Sequence, residues 1–374
     1  MTANSGRPRR TPVRFSQIDS VVVRAISLAA LLYLFILSIK LLEASFGLFG
    51  SGFVDAVFRA TSNPVIALLI GVLVTAIIQS SSATTSLIVG LVGAGTISFE
   101  HAIPMVMGAN IGTTITNMIV SMASISRSDE FKRAYASATV HDFFNICSVI
   151  ILLPLQVKFN IIGTTARWLQ TSFEGFGGMK FSSPLKAVTE PVAAKILHLT
   201  GDSGWLGAVI ALLLLFVALR YIVRVLKSMV LAKVERFFDR YIFRTAALSF
   251  GLGAILTALV QSSSITSSIV VPLVGAGVIS LEQVFPYLLG ANIGTTITAF
   301  LASFVTNSTE AVAVAFAHLV FNIFGILIFW PLRVLPITLA RKLSNAAIKS
   351  KVIPFAYIIG VFFIIPGIII FLMR

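Results

Sequence analysis

Charge is scarce in this 374-residue chain, since only 11% of its residues are charged, against about a quarter in an average soluble domain. The charges are also unequal in sign, with 28 Lys and Arg but 14 Asp and Glu. Cysteine occurs once, as Cys147, which excludes an intrachain disulfide. No GxSxG or HExxH motif is present, and the chain is not expected to be an enzyme. A soluble domain and a disulfide scaffold are therefore disfavoured.

Two long stretches, residues 60–126 and 245–332, contain no Lys or Arg. The basic residues are concentrated instead in residues 220–244 and 333–351, which the sequence predicts to be loops. No basic groove interleaved with aromatics is visible, so no nucleic-acid partner is expected. Loops rich in Lys and Arg are typical of the cytoplasmic side of a membrane protein, so both basic regions are predicted to be cytoplasmic.

Long apolar runs are abundant. Hydrophobic residues make up 57% of the chain, and the mean hydropathy is +0.98. Runs such as Val21–Leu42 and Trp205–Val225 have the length of about 20 residues that a helix needs to cross a bilayer. The sequence therefore predicts an all-α polytopic protein that is embedded in a lipid bilayer.

One stretch occurs twice. Residues 79–116 read QSSSATTSLIVGLVGAGTISFEHAIPMVMGANIGTTIT, and residues 261–298 read QSSSITSSIVVPLVGAGVISLEQVFPYLLGANIGTTIT. They are identical at 25 of 38 positions without a gap. Solenoid and propeller repeats have periods of only about 20–50 residues, so this wider spacing indicates two duplicated halves of one fold.

Each half is predicted to contain a re-entrant hairpin and a broken helix. Two short apolar arms flank the polar QSSS tip, and glycines on both sides of the asparagine in GANIGTT suggest a helix break. Three crossings in each half invert one half relative to the other. The predicted organisation is a basic cytoplasmic tail at 1–20, a first inverted repeat at 21–155, an extracytoplasmic connection at 156–204, a second inverted repeat at 205–332, and a cytoplasmic basic loop with a last transmembrane helix at 333–374.

The polar residues of the repeats are neutral amides and hydroxyls, which suit hard cations and hydrogen-bonded oxyanions. The helix that starts at each serine run offers free N–H groups to an anion. An unwound GANIGTT segment would offer carbonyls to sodium. Because residues 60–126 and 245–332 contain no Lys or Arg, co-bound cations are expected to supply the positive charge. The alternative is that small hydroxylated residues only pack helices together, but their duplication at helix breaks favours a site.

Two matching i, i+4 pairs occur as well, His141 with Asn145 and His318 with Asn322. Each pair is suited either to interhelical hydrogen bonding or to an ion pathway. Matching first-turn acids are predicted to cap helix N-termini: Glu100 and Glu282.

The twin QSSS and GANIGTT motifs, with the run RAYASATVHDFFN at residues 133–145, strongly resemble the type II sodium-dependent phosphate cotransporters. The likeness covers roughly residues 60–335. It implies coupled uptake of inorganic phosphate with sodium by alternating access, with no cofactor besides the co-transported ions. It assigns phosphate binding to Gln79, Ser80, Ser81, Gln261, Ser262 and Ser263. It assigns sodium binding to Ser82, Thr84, Asn110, Thr114, Ser264, Thr266, Asn292 and Thr296.

The short, cysteine-free 156–204 connection resembles a compact bacterial member of that family. Such a member would lie in the inner membrane with a cytoplasmic N-terminus and an extracytoplasmic C-terminus, and assembly as a homo-oligomer stays open. Residue types alone leave three other functions open. These are a sodium-coupled carrier of sulfate or a dicarboxylate, an anion channel, and a sensor that retains only the binding site.

Overall fold

The computed structural model describes residues 15–49, 51–175, 184–238, 243, 245–306 and 308–373. Most of the predicted N-terminal tail lies outside these residues. Within them every regular element is a helix and none is a strand. The prediction of an all-α membrane protein is thereby confirmed.

Seventeen α-helices follow one another along the described residues. They are α1 (Phe15–Gly47), α2 (Ser51–Thr61), α3 (Pro64–Ile78), α4 (Ser81–Gly93), α5 (Phe99–Gly112), α6 (Ile115–Ser121), α7 (Ser128–Phe159), α8 (Ile161–Gly175), α9 (Pro184–Leu199), α10 (Gly204–Phe238), α11 (Ala246–Val260), α12 (Ser263–Gly275), α13 (Leu281–Val305), α14 (Thr309–Phe329), α15 (Val334–Lys349), α16 (Val352–Ile359) and α17 (Ile365–Leu372). A short 3₁₀ turn follows α6, and a π-helical turn joins α16 to α17.

Seven helical segments among the described residues are long and apolar enough to cross a membrane. They are Val22–Gly47, Phe99–Ser124, Ser128–Phe159, Gly204–Val225, Leu281–Val305, Thr309–Phe329 and Val352–Leu372. Helices α2 and α3 meet at a bend of 101°. Helices α4, α11 and α12 are apolar but too short to span.

The two QSSS segments form matching pairs of short helices. Helices α3 and α11 have 15 residues each, α4 and α12 have 13 each, and two residues join each pair. Gln79 and Gln261 both adopt φ 57°, in the left-handed region that ends a helix. The next residue, Ser80 or Ser262, is extended, and its hydroxyl accepts a backbone N–H of the following turn. The polar motif therefore ends one helix and caps the next.

Glycines bring α3 against α5 and α11 against α13. A Cβ on Gly71 or Gly108 would overlap a backbone carbonyl of the facing helix, and the same holds for Gly253 and Gly290. Two helices can approach this closely only where both lack side chains. In each half, a glycine on either helix of the pair therefore faces the backbone of the other helix.

The predicted break in each GANIGTT segment is wrong for the second half and minor in the first. Helix α13 runs without interruption through residues 290–296. In the first half only Thr113 and Thr114 separate α5 from α6, and both keep right-handed helical angles. The physical reason is that the flanking glycines serve close helix packing, so the carbonyls between them remain available to helical hydrogen bonds.

Both regions that were expected to be basic loops are largely helical. Helix α10 continues to Phe238, and residues 239–242 and 244 lie outside the described residues. Residues 334–349 form α15, which buries one face through Ile337, Ala340, Ser344 and Ala347. An amphipathic helix places its basic residues on the opposite face, so the charges that suggested a loop belong to an exposed helix surface.

The first-turn glutamates form ion pairs and do not cap their helices, contrary to expectation. The cap of α5 and of α13 is the serine two positions before the glutamate. Glu100 lies 2.9 Å from a guanidinium nitrogen of Arg167 on α8, and Glu282 pairs with Arg341 on α15. The equivalent glutamates of the two halves therefore pair with equivalent partners, one on the amphipathic helix α8 and one on the amphipathic helix α15.

Candidate functional site

A cavity of about 400 Å³ lies where the two QSSS turns approach helix α10. Its lining combines apolar, hydroxyl, amide and guanidinium groups. The lining residues are Ile78, Gln79, Ser80, Ser82, Ala83, Thr116, Phe216, Leu219, Arg220, Val223, Arg224, Gln261, Ser262, Ser264 and Ile265. None of them carries a carboxylate.

Hydrogen bonds hold the two turns in place. Thr116 donates to Oε1 of Gln79 at 3.0 Å, and its equivalent in the second half, Thr298, donates to Oε1 of Gln261 at 2.8 Å. Ser82 of the first turn donates to the backbone carbonyl of Gln261 at 3.1 Å. The turns of the two halves are therefore in direct contact. The orienting threonines were missed from sequence, although both belong to the repeated GANIGTTIT motif.

The electrostatic character of the cavity favours an anion. Helices α4 and α12 begin at its wall, and the first N–H groups of a helix attract negative charge. Arg220 and Arg224 of α10 also lie in the wall. The expectation that no arginine is available was therefore wrong, because α10 precedes the second repeated stretch in sequence but packs beside both turns.

Six of the fourteen predicted site residues line the cavity: Gln79, Ser80, Ser82, Gln261, Ser262 and Ser264. The other eight are buried outside its lining: Ser81, Thr84, Asn110, Thr114, Ser263, Thr266, Asn292 and Thr296. Thr84 and Thr266 each donate to the carbonyl of the capping serine of their own helix at 3.1 Å. Their hydroxyls brace the turns from behind.

The two asparagines of the GANIGTT motifs contact the opposite half. Nε2 of His141 lies 2.7 Å from Oδ1 of Asn292, and Nε2 of His318 lies 3.4 Å from Oδ1 of Asn110. Asn292 also donates to Oδ1 of Asn145 at 2.8 Å, and Asn145 donates to the carbonyl of Asn110 at 2.8 Å. These groups form a buried network between the halves, as the hydrogen-bonding alternative for the His/Asn pairs predicts.

Asp142 is a buried acid that the site prediction omitted. It is fully inaccessible, and its carboxylate accepts hydrogen bonds from Thr114 at 2.8 Å and from Tyr357 at 2.6 Å. Among the described residues no Lys, Arg or His forms an ion pair with it. The second half has Leu319 after His318, so the acid is not duplicated. An acid inside a membrane span is itself the signal that would have identified it.

A polytopic helical protein with a duplicated turn structure and a polar cavity between its halves has an architecture typical of membrane transport proteins. The chain belongs to the Na⁺/Pi-cotransporter family, whose model matches residues 34–190 and 214–333. This confirms the family that the repeated motifs indicated. No solved structure matches the chain.

Curated relatives agree with this assignment. The chain is similar to sodium-dependent phosphate transport protein 2A of Rattus norvegicus. Their alignment extends over 440 residues at 30% identity, and it covers 96% of this chain and 69% of the relative. It is also similar to protein 2B of Homo sapiens, with 31% identity over 442 residues that cover 92% of this chain and 64% of the relative. These relatives are transport proteins, which confirms that the chain is not an enzyme.

Proposed function

We propose that the chain imports inorganic phosphate together with sodium by alternating access. The observation that carries this proposal is the meeting of two equivalent QSSS turns in a cavity that contains hydrogen-bond donors and no carboxylate. The names of the curated relatives support the choice of phosphate and sodium. On this proposal the protein lies in a bacterial inner membrane with its N-terminus in the cytoplasm.

Phosphate would bind between the starts of α4 and α12. The amides of Gln79 and Gln261 and the hydroxyls of Ser80 and Ser262 are available from the wall. The side chains of Ser81 and Ser263 are buried, so these residues would contribute through their backbone N–H groups at the first helical turn. A multivalent anion would thus meet donors from both halves.

Sodium would bind in the buried layer behind the turns, where six of the eight predicted sodium ligands lie: Thr84, Asn110, Thr114, Thr266, Asn292 and Thr296. Asp142 and Thr114 are the favoured location within that layer, because a buried carboxylate without a basic partner is stabilised by a bound cation. Oxygen ligands of this kind suit a hard cation. Sodium bound at this position would contact the first half, which also carries the first QSSS turn.

Replacing Asp142 with Asn tests the sodium assignment. The substitution keeps the size and the acceptor oxygen but removes the charge, so the sodium concentration for half-maximal uptake is expected to rise at least about tenfold, which corresponds to about 1.4 kcal/mol. Sodium titration of phosphate uptake in proteoliposomes measures this change. Asp129→Asn, at an acid in the first turn of the same helix, is the matched control. Equal sodium dependence in both variants would contradict the assignment.

Alternating access would require the contacts between the two halves to rearrange. The cavity lies at the meeting of the turns, and the His/Asn network lies in the buried interface. A rocking or gating movement of one half would open the cavity to either side in turn.

Labelled phosphate uptake into proteoliposomes tests the function as a whole. An inward sodium gradient is expected to drive phosphate above its equilibrium concentration, and an equal potassium gradient is expected not to. Excess unlabelled sulfate or succinate should leave uptake unchanged. Competition by either anion would indicate another sodium-coupled oxyanion carrier. Flux that is indifferent to sodium would indicate a channel, and binding without flux would indicate a sensor.

A further inference from the structure

We infer that Arg220 and Arg224 form a second anion-binding position in the wall of the cavity, which phosphate occupies on its way to or from the QSSS turns. This inference rests on the proposed function and specifies how the same cavity attracts its substrate. It assigns to two residues of α10 a role in substrate affinity that lies outside both repeated motifs.

The position of the arginines in the fold is the first argument. Both belong to the membrane-crossing segment Gly204–Val225, and they lie one helical turn apart, so they share one face of α10. A guanidinium inside a span is costly unless it meets a polar cavity or a partner. Both arginines line the cavity that also contains the capping serines.

The absence of a fixed partner is the second argument. Among the described residues neither Arg220 nor Arg224 forms an ion pair with a carboxylate, and both side chains are exposed. The guanidinium of Arg224 lies 5.4 Å from the centroid of the Tyr221 ring, which orients it without neutralising it. By contrast, Arg167 of α8 and Arg341 of α15 both pair with glutamates. The charges on α10 therefore remain available to a mobile anion.

The chemistry of the cavity is the third argument. The turns offer only neutral donors, whereas a guanidinium binds phosphate oxygens through two parallel N–H groups and attracts an anion over a longer range. Two arginines beside neutral donors would therefore raise the local phosphate concentration. Phosphate would then bind at the turns through neutral hydrogen-bond donors, in a step that does not use the arginines.

The test compares Arg220→Gln/Arg224→Gln with Arg220→Lys/Arg224→Lys and with the control Arg333→Gln. Arg333 is exposed and lies outside the cavity. The two Gln substitutions are expected to raise the KM for phosphate about tenfold at low ionic strength, with kcat and the sodium dependence little changed. Adding choline chloride at fixed sodium should raise the KM of the wild type but not of this variant. The Lys variant should keep most of the wild-type affinity, and Arg333→Gln should behave as wild type.

An unchanged KM in the Gln variant, or a lower kcat that Lys does not restore, would overturn the inference, because snorkelling or packing arginines would give those results. If the double variant does not fold, Arg224→Gln alone is compared with Arg224→Lys. Equilibrium binding of labelled phosphate to the purified protein in sodium provides a second readout. If the wild-type protein binds phosphate but does not take it up, the proposed function is overturned. If the wild type and the Gln variant bind phosphate with equal affinity, only the arginine assignment is overturned.

Discussion

Replacing Gln261 with Asn is expected to reduce sodium-dependent phosphate uptake by roughly thirty- to a hundredfold. The backbone of Gln261 is left-handed, and Asn tolerates that conformation, so the substitution tests the amide and not the turn. The shorter side chain withdraws the amide from Thr298 and from the cavity. Losing one hydrogen bond to a charged ligand costs about 2–3 kcal/mol, and each 1.4 kcal/mol is about a tenfold change.

The same chemical change elsewhere is the control. Gln283 completes the N-terminal cap of α13 and lies outside the cavity. Gln283→Asn is therefore expected to keep uptake within about twofold of the wild type, since weakening a cap costs about 1 kcal/mol of stability and leaves the site intact. Uptake rates in proteoliposomes with matched protein content decide between them. Normal transport by Gln261→Asn would remove the second turn from the phosphate site.

Replacing Gly253 with Ala is expected to destabilise the protein by about 1–3 kcal/mol, which is the usual cost of overpacking. The new methyl group would overlap the carbonyl of Tyr287, and backbone atoms of a packed helix cannot rotate away. Helices α11 and α13 would have to separate, and the second turn would move with α11. Thermal unfolding of the purified protein in detergent measures the loss.

Gly251 gives a matched comparison two residues earlier on the same helix. A Cβ there meets no atom within 4 Å. Gly251→Ala is therefore expected to be neutral or to stabilise by up to about 1 kcal/mol, because Ala favours the helix. Equal melting temperatures for the two variants would show that the close contact between α11 and α13 does not support the fold.

The QSSS turns were predictable from sequence because local rules determine them. A polar residue that ends an apolar helix and a serine that caps the next act over three or four residues, and the duplication showed that both turns belong together. The GANIGTT segments were misinterpreted for a related reason. Their glycines are four residues apart, which is a helix-packing pattern as well as a sign of a break. Choosing between these interpretations requires the facing helix.

The roles of the two cavity arginines and of the buried acid could not be predicted from the sequence, because both depend on tertiary contacts. Arg220 and Arg224 looked like the start of a cytoplasmic loop, and only the path of α10 beside both turns brings them to the cavity. Asp142 was visible as an acid in an apolar span, but its partner Tyr357 is 215 residues away. Charge and spacing along the chain carry no information about such contacts.

The histidine–asparagine contacts have an implication for the origin of the chain. His141 of the first half contacts Asn292 of the second, and His318 of the second contacts Asn110 of the first. Each half thus supplies one histidine and one asparagine side chain, and the partner of each lies in the other half. Two separate copies of one half, related by a two-fold axis, would make the same bonds across a homodimer interface. A gene duplication and fusion from such a homodimer would have preserved this interface without inventing a new contact.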